Sequence, residues 1–256
     1  MEYSVAMNAY RKLCTEFYDI DKPAAPPEAY AFYRAKAEEA GGPILEPMCG
    51  SGRFLIPLLR EGFHIDGSDG SPEMLDACRA RIEKEGAAAS LAQQMLHEIE
   101  VSREYALVMI PEGSFCLVTD PEAAQEALRR IFAALRPGGR FVLDIERDMG
   151  KPAGSWGWGG RWVERPDGAK IICSWLGRYE PEEKVSYSLL RYELIQHGAL
   201  LATEFEDFNL RLYGLEEMEA LLASIGFCEI AVHRLYGPET PSAEDETVVF
   251  EARKPG

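Results

Sequence analysis

The 256-residue chain has no Cys-x-x-Cys pair, although it holds six cysteines, Cys14, Cys49, Cys78, Cys116, Cys173 and Cys228. None has a histidine at ligand spacing, which argues against a zinc framework. Their scatter suits reduced thiols acting as small apolar side chains in a cytoplasmic compartment. Dense basic runs are missing too, and 27 Lys and Arg against 43 Asp and Glu leave a formal charge of −16. A field of that sign repels phosphate backbones and anionic lipid, so neither nucleic acid nor a membrane surface is expected as a partner. No stretch approaches the roughly 18 uncharged apolar residues of a spanning helix, and Met1–Ser4 leads from no basic segment into an apolar one. A soluble, cytoplasmic protein is expected. Its composition, 46% hydrophobic and 27% charged, is that of an ordinary folded chain, and its length suits one large α/β domain with room for an insertion.

What is present is an alternation of short apolar runs with helical patterns. Tyr3 to about Asp19 is helix-compatible and aromatic, and Pro27 is placed to open a helix over 28–40 that Gly41-Gly42-Pro43 ends. Strands are expected over 44–47, 63–67, 88–92, 105–110 and 140–145, with helices over 54–60, 72–84 and 121–135 between them; Asp120 is the expected cap of the last. Strands separated by helices imply parallel pairing and a doubly wound sheet. From Arg147 to Tyr213 long alternating segments replace the helical spacing, broken by Pro166-Asp167-Gly168, Pro181-Glu182-Glu183 and His197-Gly198, which predicts an antiparallel insertion. The run 154–160, Gly-Ser-Trp-Gly-Trp-Gly-Gly, reads as a mobile loop at its mouth. Helical spacing returns over 215–225, followed by strands near 227–235 and 247–252, so the expected core is 1–146 with 214–256, residues 1–42 form a helical lid, and 147–213 is a substrate-side subdomain.

Chemistry concentrates at the ends of the first two strands. Gly50 and Gly52 allow backbone to approach a ligand closely where a helix starts, but two glycines at such a junction often serve turn geometry alone. The third glycine of G-x-G-x-x-G and the Lys of a phosphate-binding loop are both missing, which counts against NAD and ATP. Asp69, about twenty positions on, suits both hydroxyls of a ribose, with Asp66 as its competitor. The D-x-[DN]-x-[DN]-G calcium register is not met.

Three segments in order, Ile44-Leu45-Glu46-Pro47-Met48-Cys49-Gly50-Ser51-Gly52-Arg53, Asp69-Gly70-Ser71-Pro72-Glu73-Met74-Leu75 and Leu135-Arg136-Pro137-Gly138-Gly139, resemble the class I S-adenosylmethionine-dependent methyltransferases. An antiparallel insertion after strand five is similar to the small-molecule branch that methylates amino sugars and amino acids. The resemblance implies a seven-stranded, mostly parallel Rossmann-like sheet and S-adenosylmethionine as methyl donor, with S-adenosylhomocysteine as product. It implies that Glu46, Cys49, Gly50 and Gly52 surround the methionine part. Asp69 would hold the ribose, with Gly70 or Met74 near the adenine. The family often has an acid after strand three, where this chain offers Gln93-Gln94-Met95; Gln94 and Met95 are the candidates there. Ile110 to Ser114 would line the reacting methyl group, and Tyr18, with Tyr10 and Phe17, either forms a lid or is the apolar stripe of a packed helix.

The acceptor is read as a small molecule bearing a nitrogen or oxygen nucleophile. Glu112 and His233 are candidate bases, and neither is singled out. Trp156, Trp158, Trp162 and Trp175 offer either an acceptor pocket or insertion core. Monomer and homodimer both remain open. The alternatives are an NAD(P) oxidoreductase on a similar sheet and a non-catalytic S-adenosylmethionine-binding protein.

Overall fold

The computed structural model describes residues 9–256; Tyr3 lies outside them. Helix α1 spans Lys12–Asp21, and α2, Pro27–Ala40, begins on its proline and closes on Gly41 at φ 56°. There follow β1 (Ile44–Pro47), α3 (Leu55–Arg60), β2 (Ile65–Asp69), α4 (Pro72–Lys84), β3 (Leu91–Gln93), β4 (Tyr105–Ile110), α5 (Pro121–Ala134) and β5 (Leu135–Glu146). Ser71 caps α4 by accepting from the Met74 amide at 3.1 Å, and Asp120 caps α5 through the Ala123 amide at 2.8 Å, satisfying donors that the first helical turn leaves free. Five strands, β6 (Gly154–Glu164), β7 (Lys170–Glu180), β8 (Val185–Gln196), β9 (Ala199–Asp207) and β10 (Leu210–Arg211), precede α6 (Leu215–Ile225), β11 (Cys228–Arg234) and β12 (Thr247–Arg253).

Seven strands form the main sheet in the order β3-β2-β1-β4-β5-β12-β11. Pairing is parallel from β3 to β5, and β12 is antiparallel to both of its neighbours. The expected seven-stranded, mostly parallel sheet is what forms. Strands β1 and β4 are buried at every position, because apolar clusters cover both faces: Ala124, Leu128 and Ile131 of α5 with Met218 and Leu222 of α6 on one side, Tyr33, Leu55 and Leu75 of α2, α3 and α4 on the other. Strand order reverses between β1 and β4, and a doubly wound sheet opens a crevice at the carboxyl ends of its strands there. Among the described residues no helix is long and apolar enough to cross a membrane.

The second sheet has β8 at its centre, with β7 and then β6 on one edge and β9 and β10 sharing the other. The run 154–160 is not a loop but the first half of β6, paired to β7 with a bulge between Trp156 and Gly159. Glycine here makes room for aromatic rings. A side chain at Gly159 would meet the Trp175 ring at 2.9 Å, and one at Gly177 would meet the Trp156 ring at 2.5 Å, so indole area replaces what glycine leaves unpacked.

Helix α1 joins the two sheets. Leu13, Cys14 and Phe17 pack on Ile171, Cys173 and Tyr192 of the second sheet. Glu206 on β9, buried, accepts the Tyr10 and Arg11 amides at 2.9 and 2.7 Å, and Glu204 accepts that of Leu13 at 2.8 Å. Carboxylates at a helix N-terminus meet both its free donors and its positive end. At the other end of α1, Asp19 accepts from Ser51 Oγ at 2.6 Å and pairs with Arg81 at 3.1 Å.

Candidate active site

At the carboxyl end of β1 the chain turns through three left-handed residues, Met48, Gly50 and Gly52, at φ 59°, 53° and 86°. A side chain at Gly52 would collide with Cys78 Sγ and Ile56 at 2.8 Å, so this glycine serves close packing against α4. Gly50 has open space on its cleft side, with Met74 Sδ as its nearest neighbour at 3.8 Å. The turn is stapled to β2 by Asp69, which accepts the Gly50 amide on one carboxylate oxygen and the Ser71 amide on the other, both at 2.8 Å. Burial raises the Asp69 carboxyl above the ordinary range, against the pull of the Ser71, Gly50 and Gly70 amides.

Asp66 is engaged elsewhere. It accepts from Arg103 and, at 2.8 Å, from Tyr105 Oη, and it borders a separate hollow with Phe63, His64 and Arg103. Of the two acids the sequence leaves open, only Asp69 stands at the cleft between β1, β2 and β4.

That cleft is a concave, partly open site at the place where doubly wound sheets bind small molecules. Of the expected residues, Tyr18, Glu46, Cys49, Gly50, Asp69 and Met74 line it. Pro111, Glu112 and Ser114 line it from the end of β4, whereas Ile110, Gly52, Gly70, Gln94 and Met95 lie off its wall. The Gln94 side chain donates to the Glu100 carbonyl at 3.2 Å. His233 pairs with Glu251 at 3.5 Å on β11, away from the cleft, so Glu112 is the candidate base that the fold brings in. The tryptophans do not line it either; Trp158 and Trp162 are 56% and 55% exposed, under Arg191 and Lys170.

Two features were not read in the sequence. Arg53, almost fully buried, donates to Tyr18 Oη at 2.7 Å and to the Ala24 carbonyl, and it approaches Glu112 at 3.5 Å; it ties α1 to the loop after β1. Behind Glu112 stands Asp144 of β5, fully buried, receiving Tyr33 Oη at 2.6 Å, Tyr236 Oη at 2.8 Å and the Glu112 amide at 2.7 Å. Burial pushes its carboxyl up to about 7 despite those donors. A lone acid inside Phe141-Val142-Leu143-Asp144-Ile145 was the available signal.

Glu46 has a different character. It is buried at the end of β1, and its Oε2 has no hydrogen-bond partner. Among the described residues three other buried side-chain atoms share that condition, on Ser174, Arg191 and Tyr213, all off the cleft wall. Burial, followed by Cys78 and Asp69, raises the Glu46 carboxyl well above its usual range. A buried carboxyl oxygen without a partner is costly and calls for one, and a cation there would favour the ionised form.

Residues 44–139 match the family model described as a methyltransferase domain. That stretch runs from β1 into β5 and holds the whole loop, Asp69 and the end of β4. The chain carries a class I S-adenosylmethionine-dependent methyltransferase domain. The methyltransferase is similar along most of its length to a Geobacillus sp. (strain WCH70) protein described as a methyltransferase, 27% identical over 93% of this chain and 97% of its relative. Its fold is shared with an S-adenosylmethionine-dependent methyltransferase of Clostridium acetobutylicum, at a TM-score of 0.77 and 17% identity over 93% and 96% of the two chains. The sugar N-methyltransferase KedS8 of Streptoalloteichus sp. superposes at 0.76 with 18% identity over 100% and 97%. The methyltransferase therefore shares its fold beyond residues 44–139, second sheet included.

Proposed function

We propose that this methyltransferase moves a methyl group from S-adenosylmethionine to a nitrogen or oxygen of a small molecule, leaving S-adenosylhomocysteine. The observation that carries this is the unpartnered Oε2 of buried Glu46 on the cleft wall. A donor with an ammonium group and a sulfonium centre supplies the cation that this carboxylate lacks. Asp69 suits the ribose: each of its oxygens is committed to one amide and keeps acceptor capacity for a hydroxyl. Cys49 and Gly50 would surround the methionine part, with Gly52 shaping the turn behind them, and Met74 would lie on the adenine side, with Gly70, Gln94 and Met95 behind the wall there. Ile110 to Ser114 would border the methyl group, and Tyr18 would cover it from α1.

When bound, the cofactor supplies an already activated methyl carbon. The chain's share is to hold the nucleophile close and to keep water out. We assign the cofactor core to 1–146 and 214–256, with 1–42 as lid, and the acceptor side to the insertion 147–213. The acidic cleft and the chain's charge favour a small acceptor over a nucleic acid or a lipid surface, and the protein is read as a monomer or homodimer in the cytoplasm.

The oxidoreductase reading loses on electrostatics. Glu46, Asp69 and Glu112 face the cleft beside one guanidinium, Arg53, which Glu112 already engages at 3.5 Å, so the wall offers a pyrophosphate few cationic donors. Labelled-methyl incorporation across a metabolite panel tests the proposal; a protein that binds the cofactor and methylates nothing is a sensor instead.

A further inference from the structure

Cys49 and Cys78 meet sulfur to sulfur beneath the glycine loop. Cys49 stands between Met48 and Gly50 at the end of β1, lines the cleft and is 5% exposed. Cys78 belongs to the buried stripe Leu75, Cys78 and Ile82 of α4. The two thiols hydrogen-bond to one another, and two glycines leave the room they fill. A side chain at Gly67 on β2 would come within 2.8 Å of Cys49 Sγ, and one at Gly52 would come within 2.8 Å of Cys78 Sγ. Strand, loop and helix together hold the sulfurs in contact. The other cysteines have different surroundings: Cys14 donates to Tyr192 Oη at 3.2 Å and Cys173 shares that hydroxyl, Cys116 receives the Glu146 amide at 3.3 Å, and Cys228 donates to the Arg253 carbonyl at 3.4 Å.

The contact makes the two thiols unequal. Hydrogen bonding from Cys49 holds the Cys78 thiol below its usual value against burial, with Arg81 and Arg79 assisting, while the same contact and burial raise Cys49. A thiolate beside a thiol is the arrangement from which disulfides form, and in a reducing compartment such bonds are transient and regulatory. The thiolate attacks a hydroperoxide. Its O–O bond breaks, leaving a sulfenic acid and an alkoxide or hydroxide that solvent protonates; the partner thiol then attacks the oxidised sulfur, and water departs with the thiol proton.

A covalent bond draws the sulfurs closer than a hydrogen bond does, so something must move. Helix α4 is fixed at its start by the Ser71 cap and along its face by Leu75 and Ile82 in the core. The loop after β1 therefore shifts. Gly50, whose amide Asp69 accepts at 2.8 Å, is the next residue along it.

We propose that Cys49 and Cys78 form a reversible disulfide on exposure to a hydroperoxide, which displaces the loop after β1 and closes the cleft to S-adenosylmethionine. A bound cofactor covers Cys49 and blocks the reaction, so the idle enzyme is the form that is switched off. This rests on the cofactor reading above.

The test treats the purified protein with hydrogen peroxide, with and without S-adenosylmethionine, caps remaining thiols with N-ethylmaleimide and maps the peptides by mass spectrometry. A peptide pair linked through Cys49 and Cys78 is expected without the cofactor, and far less of it with the cofactor. Calorimetric titration should show affinity for S-adenosylmethionine at least about tenfold lower after peroxide, restored by dithiothreitol. Cys78→Ala should bind the cofactor equally before and after the same treatment, and Cys78→Ser carries this comparison if the alanine variant does not fold. No linked peptide, a loss of affinity that dithiothreitol does not reverse, or a loss that the Cys78 variant shares overturns the proposal. Reduced protein that binds no S-adenosylmethionine defeats the methyltransferase reading and the switch with it, whereas binding that the disulfide leaves unchanged defeats the switch alone.

Discussion

A carboxylate that accepts two backbone amides and faces a cleft does two jobs, and Asp69 shows how to separate them. Asp69→Ala removes the staple between Gly50 and Ser71 as well as the ribose acceptor, and should weaken S-adenosylmethionine binding by about 1–3 kcal/mol in a calorimetric titration. Asp66→Ala should leave that affinity unchanged and lower the melting temperature, since its partners Arg103 and Tyr105 lie outside the cleft. Asp144 makes a prediction about pH. Its folded carboxyl titrates near 7, above the unfolded value, so the folded state binds its proton more tightly and the stability it contributes is lost as pH rises from about 4 to about 7. Urea unfolding should show the wild type losing up to a few kcal/mol relative to Asp144→Asn across that window; parallel profiles would contradict the raised value. Glu46, Cys49, Gly50 and Asp69 were legible because the motif holding each is contiguous. Asp144 was not, because Tyr33, Glu112 and Tyr236 reach it from positions 111, 32 and 92 residues away, and no local pattern records such a meeting.

Helix α1 is the element on which the cleft depends most, since one face packs on the second sheet and its far end grips the loop after β1. Glu206→Ala deprives the Tyr10 and Arg11 amides of their acceptor. The expected cost is about 1–2 kcal/mol, with faster amide exchange confined to the start of α1. Exchange unaltered there would mean that apolar packing alone holds the helix. The alternation of strands and helices up to β5 was readable from period and turn chemistry. The start of β6 was misread because glycine density signals a loop, and only the pairing with β7 shows Trp156 and Trp175 filling the space above glycines. The docking of α1 was equally hidden, because Glu204 and Glu206 look like the solvent side of an alternating strand.

On the scale of the whole molecule, the main sheet places β1, β2 and β4 so that their carboxyl ends share one crevice, and the acidic balance of the chain, −16, is echoed inside it by three acidic side chains and a single guanidinium. Shape and sign together favour a compact cationic cofactor over a dinucleotide. The direct measurement is parallel calorimetric titration of the purified protein with S-adenosylmethionine and with NADPH. The account predicts saturable, one-site binding of S-adenosylmethionine, weakened about tenfold or more by Glu46→Gln, and no measurable binding of NADPH. Tighter binding of NADPH, or S-adenosylmethionine binding indifferent to Glu46, would contradict it.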